Sequence, residues 1–194
     1  MANFDQAFGI TMGHEGGYAN DPTDVGGETY RGISRRYHPG WSGWKIIDGY
    51  KEVGFPRDQK AVASAFDDLA APVQEFYKAN FWNPLLLSEV SSQAIADKLF
   101  DIGVNMGTGR AGLFLQQSLN VLNKNGSLFA DLVEDGQIGQ KTLHALRIVL
   151  GIEGGEKAVL TFIGVCQGKH YMDYMKQSPN QEKFAWGWIR RVSL

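Results

Sequence analysis

Glu15 stands directly before Gly16 and Gly17, at the end of a stretch, residues 3–16, whose apolar spacing predicts an amphipathic helix. Phe4, Phe8, Thr11 and Glu15 fall on one stripe, flanked by Ala7 and Met12, while Asp5, Gln6 and Gly13 fall on the other side. At 3.6 residues per turn, Glu15 lies roughly 20° from Phe4 around the helix axis, so it leans toward the apolar face. Two effects then act in one direction. The negative end of the helix dipole disfavours a carboxylate, and partial burial disfavours it as well. A glutamate so placed is predicted to hold its proton to higher pH than usual, as a general acid on a glycosidic oxygen must. A solvated glutamate at a helix end carries the same local signature.

Such an acid needs a second group across the scissile bond, to hold a water or to stabilise positive charge on the sugar. Asp24 lies nine residues beyond Glu15, and Thr29 five beyond Asp24. A tight Gly-rich loop can fold both back over the helix end. Asp21 is the rival for the same role, and a plain turn function competes for Asp24 because aspartate favours turns. The run Asn20 to Gly26 lacks the ligand spacing and closing glutamate of a calcium loop. His14, His38, His144 and His170 form no zinc-type pairing. Neither a metal nor a cofactor is expected. Cys166 is the only cysteine, so no intramolecular disulfide is expected, and it reads as a small apolar helix residue. Ser34 has no nucleophile-elbow context.

Further candidates bind rather than react. Tyr18, close to the acid, can stack on a sugar face; Trp41, Trp82 and Trp186 are weaker candidates of the same type, against a core role. Asp101 and Asn105 are four apart and share a helix face, where they line a cleft or make structural hydrogen bonds.

The elements that position these residues read as almost all helix. After the first helix, residues 16–33 are dense in Gly, Asn, Asp and Pro, which is loop chemistry; their alternation is too poor to predict a β-ribbon. A short helix is expected over 41–54, with Trp44, Ile46 and Ile47 inward. A longer one is expected over 58–81, interrupted at Pro72, with Ala65, Leu69, Phe76 and Tyr77 as core. A connection follows at 84–92. Further helices are expected over 93–106, on to Leu122 after a break at 107–109, then over 138–150, 156–177 and 181–192. A first region, 1–90, would hold the chemistry. A second helical region, 91–194, would pack with it as one globule.

The composition is that of an ordinary globular chain of 194 residues, 43% hydrophobic and 21% charged. A net charge of -2 lacks the basic excess of a nucleic-acid binder. The N-terminus reads as no signal peptide, and no stretch approaches the length of a membrane helix. The expectation is a protein made in the cytoplasm, without membrane insertion.

The stretch HEGGYANDPTDVGGETYRGIS, residues 14–34, resembles the signature of glycoside hydrolase family 108, the N-acetylmuramidases of phages and bacteria that are also labelled secretion activator proteins. The resemblance implies an all-α, lysozyme-like fold and makes Glu15 the catalytic acid. The wider resemblance is to phage-type lysozymes, with their Glu, eight residues, Asp, five residues, Thr pattern. Glu15 to Asp24 keeps the first interval; Thr29 falls one residue short on the second. Asn105-Met106-Gly107 is similar to a segment near the cleft of those lysozymes. FDIGVNMGTGRAGLFLQQSLN, residues 100–120, resembles the family's C-terminal peptidoglycan-binding-type region, and the ending KFAWGWIRRV, residues 183–192, is also similar to the family. DGQIGQKTLHAL, residues 135–146, is similar to a turn of small peptidoglycan-binding modules, and is equally a well-formed helix start.

The resemblance implies hydrolysis of the β-1,4 bond between N-acetylmuramic acid and N-acetylglucosamine in peptidoglycan glycan strands. The chain would act at the cell wall, reached through a holin or a secretion apparatus. A lytic transglycosylase using Glu15 as acid and then base is the first alternative. A non-catalytic wall-binding secretion factor is the second.

Overall fold

The computed structural model describes residues 1–13, 17–20, 27–52 and 67–192. Glu15, Asp21 and Asp24, and the first part of the helix expected over 58–81, lie outside the described residues. The chain divides into two compact units, Phe8–Asn80 and Met1–Ala7 with Phe81–Leu194.

Helix α1, Phe4–Met12, begins where the amphipathic stripe begins. Ala7, Phe8, Thr11 and Met12 are all buried, as the stripe requires. Within the first unit the Gly-rich stretch departs from the loop expected of it. It contains a three-stranded antiparallel sheet: β1, Tyr18–Asn20, β2, Glu28–Tyr30, and β3, Ile33–Ser34. Tyr18 pairs with Tyr30 and Asn20 with Glu28; Tyr30 pairs in turn with Ile33. Two-residue hairpins of this kind need positive φ at both central positions, and Arg31 and Gly32 supply φ of 43° and 79°. The strained Arg31 is held from outside, because the Tyr77 hydroxyl donates to its carbonyl at 2.7 Å.

Helix α2, Gly43–Glu52, buries Trp44 and Ile47, while Ile46 is only half-buried. A 3-10 turn, Asp67–Leu69, leads into α3, Ala70–Tyr77, and a π turn, Lys78–Trp82, follows. Pro72 therefore opens α3 instead of interrupting it. A proline in the first turn removes an N–H that has no partner within the helix anyway. Trp41 and Trp44 meet edge to face at 5.0 Å, and Trp41 stacks beside Tyr30. Their indole N–H groups donate to the carbonyls of Pro72 and His38.

The second unit is built on α4, Gln93–Met106, buried along most of its length. Ser92 caps it, its hydroxyl accepting from the Ile95 N–H at 3.1 Å. Gly107, at φ 91°, breaks the chain into α5, Thr108–Leu122. Helix α6, Gln140–Leu150, and the long α7, Gly155–Gln177, follow. A 3-10 turn, Pro179–Phe184, leads to α8, Ala185–Val192. The expected last helix over 181–192 is thus two elements.

The loop before α6 lies directly on α5. A Cβ added to Gly112 would stand 2.0 Å from the Gly136 carbonyl oxygen. Gln116, buried, clasps that loop: its amide donates to Asp135 Oδ1 and the Gln137 carbonyl, and its oxygen accepts from the Gly136 N–H. The Asp135-Gly136 turn is a packing device here, and Gly136 has the positive φ, 75°, that it needs. Among the described residues no helix is long and apolar enough to cross a membrane.

Candidate functional site

In the Phe8–Asn80 unit, the described polar chemistry gathers on one face of the small sheet. Cross-strand partners share a face and neighbours along a strand alternate. Tyr18, Asn20, Glu28 and Tyr30 therefore share one face, and Ala19, Thr29 and Ser34 the other. The sheet separates Tyr18 from Thr29. The Thr29 hydroxyl is half-buried and donates to the Gly27 carbonyl at 3.2 Å.

Glu28 is the centre of this face, its side chain only 13% exposed. It accepts from the Tyr18 hydroxyl at 3.0 Å, from Arg35 Nη2 at 3.5 Å and from the Lys51 ammonium, and its Oε2 forms an ion pair with Arg35 Nε at 2.7 Å. Arg35 also grips Asp48 through both terminal nitrogens, at 3.0 and 2.6 Å, and its guanidinium lies 4.5 Å above the Trp44 ring. These contacts set the charges. The hydrogen bond from Arg35 holds the Asp48 carboxyl below its usual range. Burial lowers the Lys51 ammonium, but the bond to Glu28, the Glu28 charge and Tyr18 together outweigh it, and the net shift is upward. Burial, then the bond to Glu28, pushes the Tyr18 phenol up, so Tyr18 remains a donor at neutral pH. Sequence reasoning missed Glu28, Arg35, Asp48 and Lys51, since each looks like an ordinary surface charge until β2 and α2 are brought together.

The other sequence candidates lie in the second unit. Asp101 is 3% exposed. Its Oδ1 accepts from Arg191 Nη1 at 2.8 Å and from the Asn105 amide at 3.1 Å; that amide also donates to the Asp101 carbonyl. Burial pushes the Asp101 carboxyl up, and Arg191 and Lys98 offset part of that rise. Lys98, also buried, donates to the Arg191 carbonyl at 2.5 Å and the Val192 carbonyl at 3.0 Å, where the C-terminal end of α8 favours a cation. Burial draws its ammonium down to about 8, against the pull of Asp101. Asp101 thus faces a protein cation, while Asn105 is exposed and lines a groove of about 720 Å³.

That groove is bounded by the end of α4, the start of α5, one side of α7, the 3-10 turn and α8. Trp188 stacks on Tyr171 at 5.1 Å and on Phe184 at 5.9 Å. Arg110, Lys183 and Arg191 stand around these rings. Trp41 and Trp82 are core residues, whereas Trp186 is 79% exposed. Among the described residues no group of histidine, cysteine or carboxylate side chains could hold a metal ion.

Residues 8–107 match the family model described as glycosyl hydrolase 108, and residues 110–193 match one described as a predicted peptidoglycan domain. The fold is similar to that in the structure of Brucella abortus SagA. The TM-score is 0.61 at 23% sequence identity, over 98% of this chain and 89% of that one. No curated protein matches the sequence. The first of the two family models takes in more than half of the 194 residues, and the chain belongs to glycosyl hydrolase family 108.

Proposed function

We propose that the protein hydrolyses the β-1,4 bond between N-acetylmuramic acid and N-acetylglucosamine in peptidoglycan, with Glu15 as the general acid. Family membership makes the chain a glycoside hydrolase, and its C-terminal half is of peptidoglycan-binding type. The observation that carries the finer reading is the Glu-Gly-Gly-Tyr run at residues 15–18, inside the family match and three residues beyond the end of α1. The described part of α1 buries the stripe on which Glu15 falls by periodicity.

In the proposed reaction Glu15 gives its proton to the glycosidic oxygen as the C–O bond breaks. A water supplies hydroxyl to the sugar carbon and its remaining proton leaves. Asp24 is the proposed partner that steadies the positive sugar or directs the water, with Asp21 and Thr29 as rivals. The tie of Thr29 to the Gly27 carbonyl leaves its oxygen able to accept but commits its proton. Tyr18 is proposed to border the sugar, its hydroxyl fixed by Glu28.

Turbidity of purified cell walls tests the acid. Glu15→Gln is expected to slow clearing by about 10²- to 10⁴-fold, the usual contribution of a general acid. Equal clearing by both proteins refutes the assignment. Mass spectrometry of the fragments decides the chemistry: anhydro-muramic ends identify a transglycosylase and refute hydrolysis. Sedimentation with walls and no clearing by the wild type identifies a binding factor.

A further inference from the structure

The groove between α4, α7 and α8 has a one-sided chemistry. Its lining carries three permanent cations, Arg110, Lys183 and Arg191, and no carboxylate, in a chain whose net charge is -2. Asp101 sits behind Arg191, buried, and holds one of its nitrogens. Arg110 spends one N–H on the Met106 carbonyl at 3.1 Å. The Lys183 ammonium lies 4.9 Å from the Phe184 ring centroid. Guanidinium and ammonium groups donate and never accept. A sugar hydroxyl asks for both; Asn105 (whose amide donates twice to Asp101), His170, Tyr171 and Tyr174 can accept, but the charge of the lining is that of the three cations. A carboxylate only accepts, and it matches the three donor-only cations of the rim. The stacked rings of Trp188, Tyr171 and Phe184 offer apolar area for the carbon skeleton between carboxylates.

We propose that this groove binds the carboxylate-bearing peptide stem of peptidoglycan, and not its glycan. The inference rests on the reading that peptidoglycan is the substrate. It adds a second point of attachment, one that recognises whether the strand still carries its peptides. The linkage raises the local concentration of glycan at the hydrolytic site without a new contact there.

Calorimetry with the full chain tests it. The ligands are synthetic L-alanyl-γ-D-glutamyl-meso-diaminopimelic acid, the same peptide with its carboxylates amidated, a peptide-free N-acetylglucosamine tetrasaccharide and a poly(glycerol phosphate). The free-acid peptide is expected to bind at least about tenfold more tightly than the amidated one, with affinity falling as salt rises. Arg110→Gln with Lys183→Gln is expected to weaken it at least about tenfold. Both side chains are exposed, and an unchanged circular dichroism spectrum confirms that the variant folds. Equal binding of the two peptides, no effect of the double substitution, or tighter binding of the tetrasaccharide or the polyphosphate overturns the inference. Wall clearing by the wild type is measured in parallel. Clearing without stem binding overturns this inference alone, and stem binding without clearing overturns the hydrolase reading alone.

Discussion

Gly112→Ala sets helix propensity against tertiary packing at one atom. Gly112 lies inside α5, where an alanine is worth up to about 1 kcal/mol over glycine. Propensity alone therefore predicts stabilisation. The new methyl would stand 2.0 Å from the Gly136 carbonyl oxygen and 2.7 Å from its carbon. Both are backbone atoms, so no side chain can rotate away. The loop must withdraw by more than an ångström, which costs roughly 1–3 kcal/mol as overpacking. That withdrawal also strains the three Gln116 hydrogen bonds to Asp135, Gly136 and Gln137, each worth about 1 kcal/mol. The net expectation is a loss of about 2–4 kcal/mol, read as a lower urea midpoint. Gly109→Ala is the matched control. It is on the same helix, and nothing lies within 4 Å of its added Cβ. It is expected to be neutral or to stabilise by up to about 1 kcal/mol. If Gly112→Ala stabilises as Gly109→Ala does, the loop does not press on α5 and the structural account of the Asp135-Gly136 turn is wrong.

Two further outcomes follow from the second unit. Arg191→Met strands the buried Asp101 carboxylate. Breaking such a pair costs roughly 3–5 kcal/mol when both partners are buried; with the Arg191 side chain 31% exposed and Lys98 nearby, about 2–3 kcal/mol is expected in urea unfolding. Adding Asp101→Asn should recover part of the loss, and an Arg191→Met variant as stable as wild type refutes the pairing. His170 should titrate below 6.5 by NMR, because burial and then the Arg110 charge disfavour its imidazolium, with Asp173 opposing. Since the folded pKa is depressed, this contribution to stability is complete above pH 6.5 and is lost as pH falls toward the folded value. Arg110→Gln should raise the midpoint without reaching 6.5, and a wild-type midpoint at or above 6.5 contradicts the burial of the ring.

Helices were legible in the sequence because their evidence is local. The spacing of Ile95, Leu99 and Ile102 and the Ser92 cap sit within one short window, and α4 spans the 93–106 expected. The same holds for α5 and α7, whose glycine breaks at 107 and 154 mark their starts. The family signature over residues 14–34 was legible too, and it pointed to a glycoside hydrolase of family 108, to which the chain belongs. The β-ribbon was not legible. Strands of three, three and two residues are too short to display alternation. Their register comes from cross-strand bonds and from the Arg31-Gly32 turn, which Tyr77 pins from far along the chain.

The chemistry proposed for Glu15 comes from the sequence by itself, since an apolar stripe and a dense motif are properties of neighbours in the chain. What surrounds the other candidates was decided only by tertiary structure. Glu28 became the hub of a charge cluster because Arg35 and Lys51 converge on it. Asp101, open in the sequence between a cleft and structural hydrogen bonds, anchors Arg191, ninety positions away. The cationic groove draws on residues from Asn105 to Arg191. Periodicity records which face of one helix is apolar. It carries no record of which distant charge that face will meet, because that partner is selected by the packing of the whole unit.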